Sequence, residues 1–369
     1  MWVSNDLTEV MNRYGWSAKK YDDSLFSDYR ELIISEYGTE SDIAQAPYLK
    51  WQYAENPAGG VNMYLALSPE GRLAGSYCFI PVKIRSGGQE RVGGISLNTL
   101  THKDFRGRKI FTTLAEISYQ NGFRDNNISL IYGFPNQNSY PGFLKHLKFS
   151  DIGRIPLLVK VNKLGNVIKQ KMGYGPKSVL NAMGKAVFRR KKISEKSGEL
   201  RIASVDEFDG RFDSLWERNK NLAPNIVVRS SAYLNWRYLR NPVRKYVIFS
   251  VLDISEAVRG FVVCRIIERD GIRSGLIGDL LFEKNRRDIA DLLIRRAEQY
   301  FWEEDADMWG ALMFEHVPYY QDFRRNGFIK CPQRFEPQPF PVIVRSMEND
   351  ESVLDKRNWY LTMGDYDIF

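Results

Sequence analysis

Two stretches of the chain carry the same succession of apolar and polar positions. VNMYLAL, from Val61, and SYCFIPVKI, from Ser76, read as apolar strands joined by the turn PEGRLAG, with Gly75 just past the turn. A third strand, VGGISLNTL, from Val92, leads to a helix whose residues Ile110, Leu114 and Ile117 follow the helical period. ISLIYGF, a short helix and a final strand close the unit. The order then recurs. KYVIFSVL, FVVCRIIE and RSGLIGDLL precede a helix carrying Ile289, Leu293 and Ala297, then MWGALMF, with Gly260 and Gly275 standing where Gly75 and Gly94 stood. Each unit reads as α-β-β-β-α-β-α-β, a mixed sheet with helices on its faces, so the expected class is α/β (α+β mixed sheet).

Residue identities confirm the repeat. YLKWQYAENP at 48–57 and YLNWRYLRNP at 233–242 agree at six of ten positions, among them Tyr48/Tyr233, Trp51/Trp236, Tyr53/Tyr238 and Asn56-Pro57/Asn241-Pro242. At 369 residues the chain is long enough for two cores. The expected division is a domain over 1–156, a linker over 157–200 and a domain over 201–369.

Charge sharpens the view of the linker. Of the formal +8, the stretch Leu157–Leu200 holds eleven Lys/Arg against Glu195 and Glu199, a local excess of +9. Its amphipathic pieces, Val161–Met172 and Ser178–Phe188, predict a partly helical connection ending in the exposed run RRKK at 189–192. Basic residues gathered in one connecting segment argue against a nucleic-acid groove. They leave open peripheral contact with an anionic membrane through 157–200, beside the plainer reading of a solvated linker. No apolar run is long enough to span a bilayer and the N-terminus does not resemble a leader, so a cytoplasmic location is expected, at most at the inner face of the membrane. Three scattered cysteines (Cys78, Cys264, Cys331) and three histidines (His102, His146, His316) point to neither a disulfide framework nor a metal site.

The segment THKDFRGRKIFTTL, 101–114, carries the most specific chemistry. It leaves an apolar strand, passes Arg106-Gly107-Arg108 and enters a helix near Lys109. Such a loop aims backbone N–H groups and the positive helix end at one point, a setting for a pyrophosphate. In this context the sequence resembles the GNAT acyltransferase superfamily, whose acetyl-CoA loop reads roughly [QR]-x-x-G-x-[GA]. Arg106, Gly107, Arg108, Lys109, Ile110 and Phe111 occupy that hexapeptide, with Lys109 in place of the Gly and Phe111 in place of the final Gly or Ala. Downstream, YGFPNQNSYPGFLKHLKF at 132–149 is similar to the part of the superfamily where a strand splays from its neighbour to admit the pantetheine arm.

The resemblance implies two GNAT-like domains in tandem, with acetyl-CoA or another acyl-CoA as cosubstrate in the first. It assigns cofactor binding to Leu100, Thr101, Arg106, Gly107, Arg108, Lys109, Ile110, Phe111 and Asn136, with Asn138 as an alternative to Asn136. Leu144 replaces the tyrosine that often protonates the departing thiolate, and Tyr140, one turn earlier, is the substitute candidate or a packing residue. Asn98 is placed to orient a substrate on the fourth strand but cannot act as a base, and His102 at the loop start is a second polar candidate. The second copy's loop, EKNRRDIADLL, has no glycine and is shortened, which implies a copy without a cofactor site.

The ending NWYLTMGDYDIF reads as an alternating strand and resembles the endings of tandem GNAT-like proteins linked to bacterial surface-polysaccharide synthesis. That resemblance implies an amine substrate such as an amino sugar or sugar nucleotide, with Asp365 as base or amine ligand, or else a solvated turn. Three function classes fit the sequence: an acyl-CoA N-acyltransferase, a FemAB-like aminoacyl-tRNA-dependent transferase, and a non-catalytic binding protein on the same scaffold. Arg106-Gly107 favours the first.

Overall fold

The computed structural model describes residues 1–163, 165–166 and 196–366. The amphipathic pieces expected inside the linker, and the run at 189–192, lie outside the described residues. The chain forms two units. One contains Met1–Gly153, Arg240–Val243 and Pro341–Asn358; the other takes the described residues of Arg154–Leu239, Arg244–Phe340 and Trp359–Phe369.

The first unit runs α1 (Asn5–Tyr14), β1 (Ser17–Lys20), α2 (Phe26–Tyr37), α3 (Ala46–Ala54), β2 (Asn62–Leu67), β3 (Leu73–Ser86), β4 (Gln89–Thr101), α4 (Ile110–Asn126), β5 (Ile128–Gly133), α5 (Tyr140–His146) and β6 (Ser150–Arg154). In the other unit's part of the chain follow β7 (Leu157–Val161), β8 (Lys196–Ser197), β9 (Leu200–Ser204), β10 (Asn225–Val227), β11 (Val247–Leu252), β12 (Val258–Arg269), β13 (Ile272–Phe282), β14 (Met308–Leu312) and β15 (Ile329–Lys330). The last strands are β16 (Pro341–Ser346) and β17 (Trp359–Tyr360).

Strand order in the first unit is β1-β2-β3-β4-β5-β16-β6, antiparallel from β1 to β4 and parallel between β4 and β5. One face of this sheet packs α1, α4 and α5 around Tyr77, Phe79, Ile110, Leu114, Ile117, Tyr119 and Phe143. On the other face Tyr29 of α2 and Tyr53 of α3 are buried. A Cβ on Gly75 would lie 2.8 Å from Ile110 Cγ2, so the missing side chain lets the start of α4 rest on β3. The second unit repeats the device: a Cβ on Gly260 would lie 3.0 Å from Ile289 Cγ2. The repeated glycines therefore fix how closely each long helix approaches its sheet.

The second unit's strands run β15-β7-β14-β13-β12-β11-β9-β8, with the helix Arg287–Glu303 packed on β11, β12 and β13. β10 and β17 pair in parallel, Asn225↔Trp359 and Ile226↔Tyr360. Two expectations need correction here. Leu157–Val161, taken as the start of a linker, is a strand of this sheet, antiparallel to β14 from Leu157↔Leu312 to Val161↔Met308. Conversely β16, which the contiguous division placed in the second domain, pairs with β5 in the first unit from Ile343↔Gly133 to Ser346↔Leu130. A short apolar strand carries a pattern that says it will be buried, but nothing that says in which sheet. The alternating strand expected over the C-terminal residues is also shorter: among the described residues only Trp359–Tyr360 pairs, and Met363–Asp365 forms a helical turn.

Candidate functional site

In the first unit the sheet opens at one place. Pairing between β4 and β5 runs from Val92↔Ile128 to Ser96↔Gly133 and stops there, whereas β4 continues on β3 as far as Thr101. Beyond Ser96 the two parallel strands therefore part, with Leu97–Thr101 on one side and Phe134–Asn136 on the other. β4 also bulges here. Cys78 pairs with Leu97 and Ser76 with Leu100, so Tyr77 faces both Asn98 and Thr99, and Asn98 takes a left-handed φ of 48°. Its amide Nδ2 donates to Gln52 Oε1 and to the Tyr53 hydroxyl, each at 2.8 Å. Tyr53 in turn shares a 2.9 Å hydrogen bond with the Tyr29 hydroxyl. Burial raises both phenols well above their ordinary value, so they serve as neutral hydrogen-bonding groups. Asn98 is thus a fixed part of the bulge, its amide held by two neighbours.

The loop from β4 to α4 spans eight residues, 102–109. Gly107 has φ 81°, and Lys109, which immediately precedes α4, has φ 56°. Lysine at the position where the superfamily motif has glycine thus holds the left-handed conformation that glycine adopts freely. The start of α4 has no side-chain cap and no acidic residue in its first turn. Its first N–H groups lack intrahelical partners by geometry, and its dipole end is positive. Around it, Arg106 donates to Glu36 at 3.1 Å, and Arg108 lies 5.0 Å above the Phe105 ring while its carbonyl accepts from Trp16 Nε1 at 3.1 Å. Lys109 is exposed.

The equivalent place in the second unit is closed. Only residues 283–286 separate β13 from the helix Arg287–Glu303. Glu283 accepts from Arg259 at 2.8 Å and from Arg218 at 3.0 Å. Asp288 stands in the first helical turn and is held below the usual carboxylate range, first by the Arg286 hydrogen bond and also by the helix's own N–H groups. Side-chain carboxylates thus occupy the ground that an anion would take.

The remaining candidates separate. Leu100 and Thr101 pair with Ser76 and Gly75 and lead into the loop, and Ile110 is buried beneath it. His102 is buried: its Nε2 lies 2.9 Å from an Arg72 guanidinium nitrogen, and its Nδ1 accepts from the Asp104 backbone N–H at 3.3 Å. Asn136 accepts the N–H groups of Asn138 and Ser139, each at 3.0 Å, and so shapes the turn into α5 while remaining exposed. Tyr140 donates its hydroxyl to Asp151 on β6 and packs against the core. Asp365 is not a solvated or accessible group. It lies 2% exposed in the second unit, bound to Arg229 at 2.6 Å, with Asp279 on the same guanidinium at 3.4 Å. Burial removes it from the list of plausible bases.

Gln52, Tyr53 and Tyr29, which hold the bulge, were not singled out for a site from the sequence. Recurrence of Tyr53 as Tyr238 was the available signal, since Tyr238 donates to Asp279 at 2.9 Å, next to the bulge of β13. Among the described residues no cluster of His, Cys, Asp or Glu is suited to a metal, and no helix is long and apolar enough to cross a membrane.

No family model and no curated protein sequence matches this chain. Solved structures do. A GCN5-related N-acetyltransferase from Anabaena variabilis matches with a TM-score of 0.61 at 11% identity, over 90% of this chain and 72% of its own. An N-myristoyltransferase of Saccharomyces cerevisiae, with bound myristoyl-CoA and inhibitors, matches with a TM-score of 0.61 at 11% identity, over 96% and 87%. A conserved protein of Enterococcus faecalis, described as a probable N-acyltransferase, matches with a TM-score of 0.60 at 12% identity, over 90% and 73%. At these identities the likeness is one of fold: this chain has the mixed-sheet fold of the tandem GNAT-like and N-myristoyltransferase-like acyltransferases.

Proposed function

We propose that the protein is an acyl-CoA-dependent N-acyltransferase whose cosubstrate site lies in the first unit. The observation that carries this reading is the contrast between the two helix starts. Neither has a side-chain cap, but the first turn of α4 is free of acids and flanked by Arg106, Arg108 and Lys109, while its counterpart at Arg287 carries Asp288 in its first turn and follows Glu283, which is held by Arg259. In this reading the amides from Gly107 to Phe111 and the nearby cations hold the pyrophosphate. The pantetheine arm lies along Leu100 and Thr101 in the opening past Ser96 and Gly133, and Asn136 shapes its far wall. The thioester carbonyl then sits beside the bulge at Asn98, where N–H groups released from strand pairing can polarise it.

The acceptor is an amine, which attacks the thioester carbon as the C–S bond breaks. The amine's proton leaves with the thiol or passes to water. Tyr140 is a candidate donor to the thiolate only if it gives up Asp151. Amino sugars, which the resemblance to polysaccharide-associated proteins implies, are the first acceptors to screen.

Isothermal titration with acetyl-CoA and free CoA, on the wild type and on Gly107→Glu, tests the reading. Nothing lies within 4 Å of a Cβ at Gly107, so the variant adds a carboxylate and a strained φ without a clash. Binding by the wild type that is lost in a folded Gly107→Glu is the expected result. A wild type that ignores both ligands at millimolar concentration sinks the proposal and moves the aminoacyl-tRNA and non-catalytic readings ahead.

A further inference from the structure

Beyond Ser96, where β4 leaves β5, the polar side chains of the open strand are Asn98, Thr99 and Thr101. Asn98 is held by Gln52 and Tyr53. Thr99 is different: its hydroxyl is buried and has no hydrogen-bond partner among the described residues. A hydroxyl withdrawn from water without a partner is costly, so such groups are rare and call for an explanation. Its position supplies one. Thr99 stands opposite Tyr77 across the bulge, and the Tyr77 hydroxyl meets that of Tyr119 on α4. Two residues on, Thr101 pairs with Gly75, where a Cβ would lie 2.8 Å from Ile110 Cγ2. Strand alternation therefore puts Thr99 on the α4 face of the sheet, on the stretch that leads from the bulge to the loop before α4. The residue as a whole is only half-buried, unlike its buried neighbours Leu97 and Leu100, so position 99 is reached from outside. A turn about χ1 exchanges the hydroxyl with the methyl group, and no hydrogen bond is lost in making it.

We propose that the Thr99 hydroxyl hydrogen-bonds an amide of the pantetheine arm. The inference rests on the acyl-CoA reading and deepens it, by naming a side chain that recognises the arm. That reading lays the arm along Leu100 and Thr101 towards the bulge, so the arm passes position 99 on its way. The amides of the arm lose water as they enter the opening and need partners there. A hydroxyl both donates and accepts, so either the C=O or the N–H of an amide satisfies it. One contact then removes two unpaired groups, the orphaned hydroxyl of the free protein and the desolvated amide of the ligand.

The test is isothermal titration of CoA and acetyl-CoA into the wild type, Thr99→Val and Thr99→Ser, with thermal melts of the unliganded proteins. Valine keeps the shape of the side chain and removes the hydroxyl. Thr99→Val should weaken both ligands by the same factor, about five- to tenfold, the range for leaving one buried polar group unpaired. Adenosine 3′,5′-bisphosphate, which has the nucleotide end of CoA but no arm, should bind the wild type and Thr99→Val alike. Thr99→Ser keeps a hydroxyl and should bind CoA more tightly than Thr99→Val does. Unliganded Thr99→Val should melt no lower than the wild type, because the hydroxyl it lacks makes no bond in the free protein. A hydroxyl with a purely structural role would give the opposite pattern, a lower melting temperature and no selective loss of CoA. Unchanged CoA affinity in Thr99→Val, a loss confined to acetyl-CoA, an equal loss for the bisphosphate or a lower melting temperature each overturns this inference and leaves the acyl-CoA reading standing. A wild type that binds neither CoA nor acetyl-CoA overturns both.

Discussion

Arg229→Met should destabilise the second unit strongly and in a pH-dependent way. The guanidinium is 1% exposed and lies 2.6 Å from Asp365 and 3.4 Å from Asp279, with the Tyr360 ring 5.3 Å away. Methionine fills similar volume but strands two carboxylates away from water. Removing one partner of a buried ion pair costs about 3–5 kcal/mol. With a urea slope on the order of 3 kcal/mol/M, that is a fall of about 1–1.7 M in the midpoint. Burial pushes the Asp365 carboxyl up, Arg229 pulls it down and Asp279 adds to the rise, the net direction being upward from its ordinary 3.8. A carboxyl raised in the folded state binds more protons there than in the unfolded chain. Its contribution to stability is therefore greatest below the unfolded value and declines as pH rises through the folded one. Without Arg229 the carboxyl rises further, so the variant's deficit should be largest at neutral and alkaline pH and shrink on acidification. Tryptophan fluorescence follows the transition through the buried Trp236 and Trp359 of this unit, with circular dichroism run in parallel because two units need not unfold together. Adding Asp365→Asn should recover more than about 1 kcal/mol of the loss, a coupling within the range for residues in one network. A deficit below about 1 kcal/mol, or one that stays constant between about pH 8 and pH 5, would refute this account of the cluster.

Two further substitutions test the contrast between the helix starts. Glu283→Ala leaves Arg218 and Arg259 converging on an empty point; the variant should lose about 1 kcal/mol and regain about 1.4 kcal/mol in sulfate at tenfold its dissociation constant. Equal stabilisation of wild type and variant by sulfate in thermal melts would contradict that picture. Lys109→Gly should raise the melting temperature of the first unit by about 2–4 °C, since relieving a left-handed lysine is worth about 1 kcal/mol. A lower melting temperature would mean that the lysine side chain contributes more than its backbone conformation costs.

How far the sequence foretold the molecule depends on which physical property each residue reports. Strand order, the hairpins and the long helices were legible because alternating and helical periods record which face is buried, and Gly75, Gly94, Gly260 and Gly275 recur where a helix or an aromatic ring presses on a strand. The exchange of β7 and β16 was not legible, since burial alone does not name a partner strand. The loop Arg106–Lys109 was found correctly as a turn into a helix, but that Arg106 is tied to Glu36, and Glu283 of the second copy to Arg259 and Arg218, required coordinates. Asp365 was misplaced because a carboxylate near a chain end looks solvated unless its arginine, more than a hundred positions earlier in sequence, is known.

The two copies then diverge for one reason. In both, a tyrosine from the repeated motif donates to or accepts from the residue at the strand bulge, Tyr53 with Asn98 and Tyr238 with Asp279. Asparagine is neutral there and leaves the opening of the first sheet uncharged. Aspartate buries a charge, which demands Arg229, and Arg229 in turn fixes Asp365 and the turn that carries it. With Asp279 tied into an ion network and Asp288 in its first helical turn, the second copy holds in side-chain contacts the positions that the acyl-CoA reading gives to a ligand in the first.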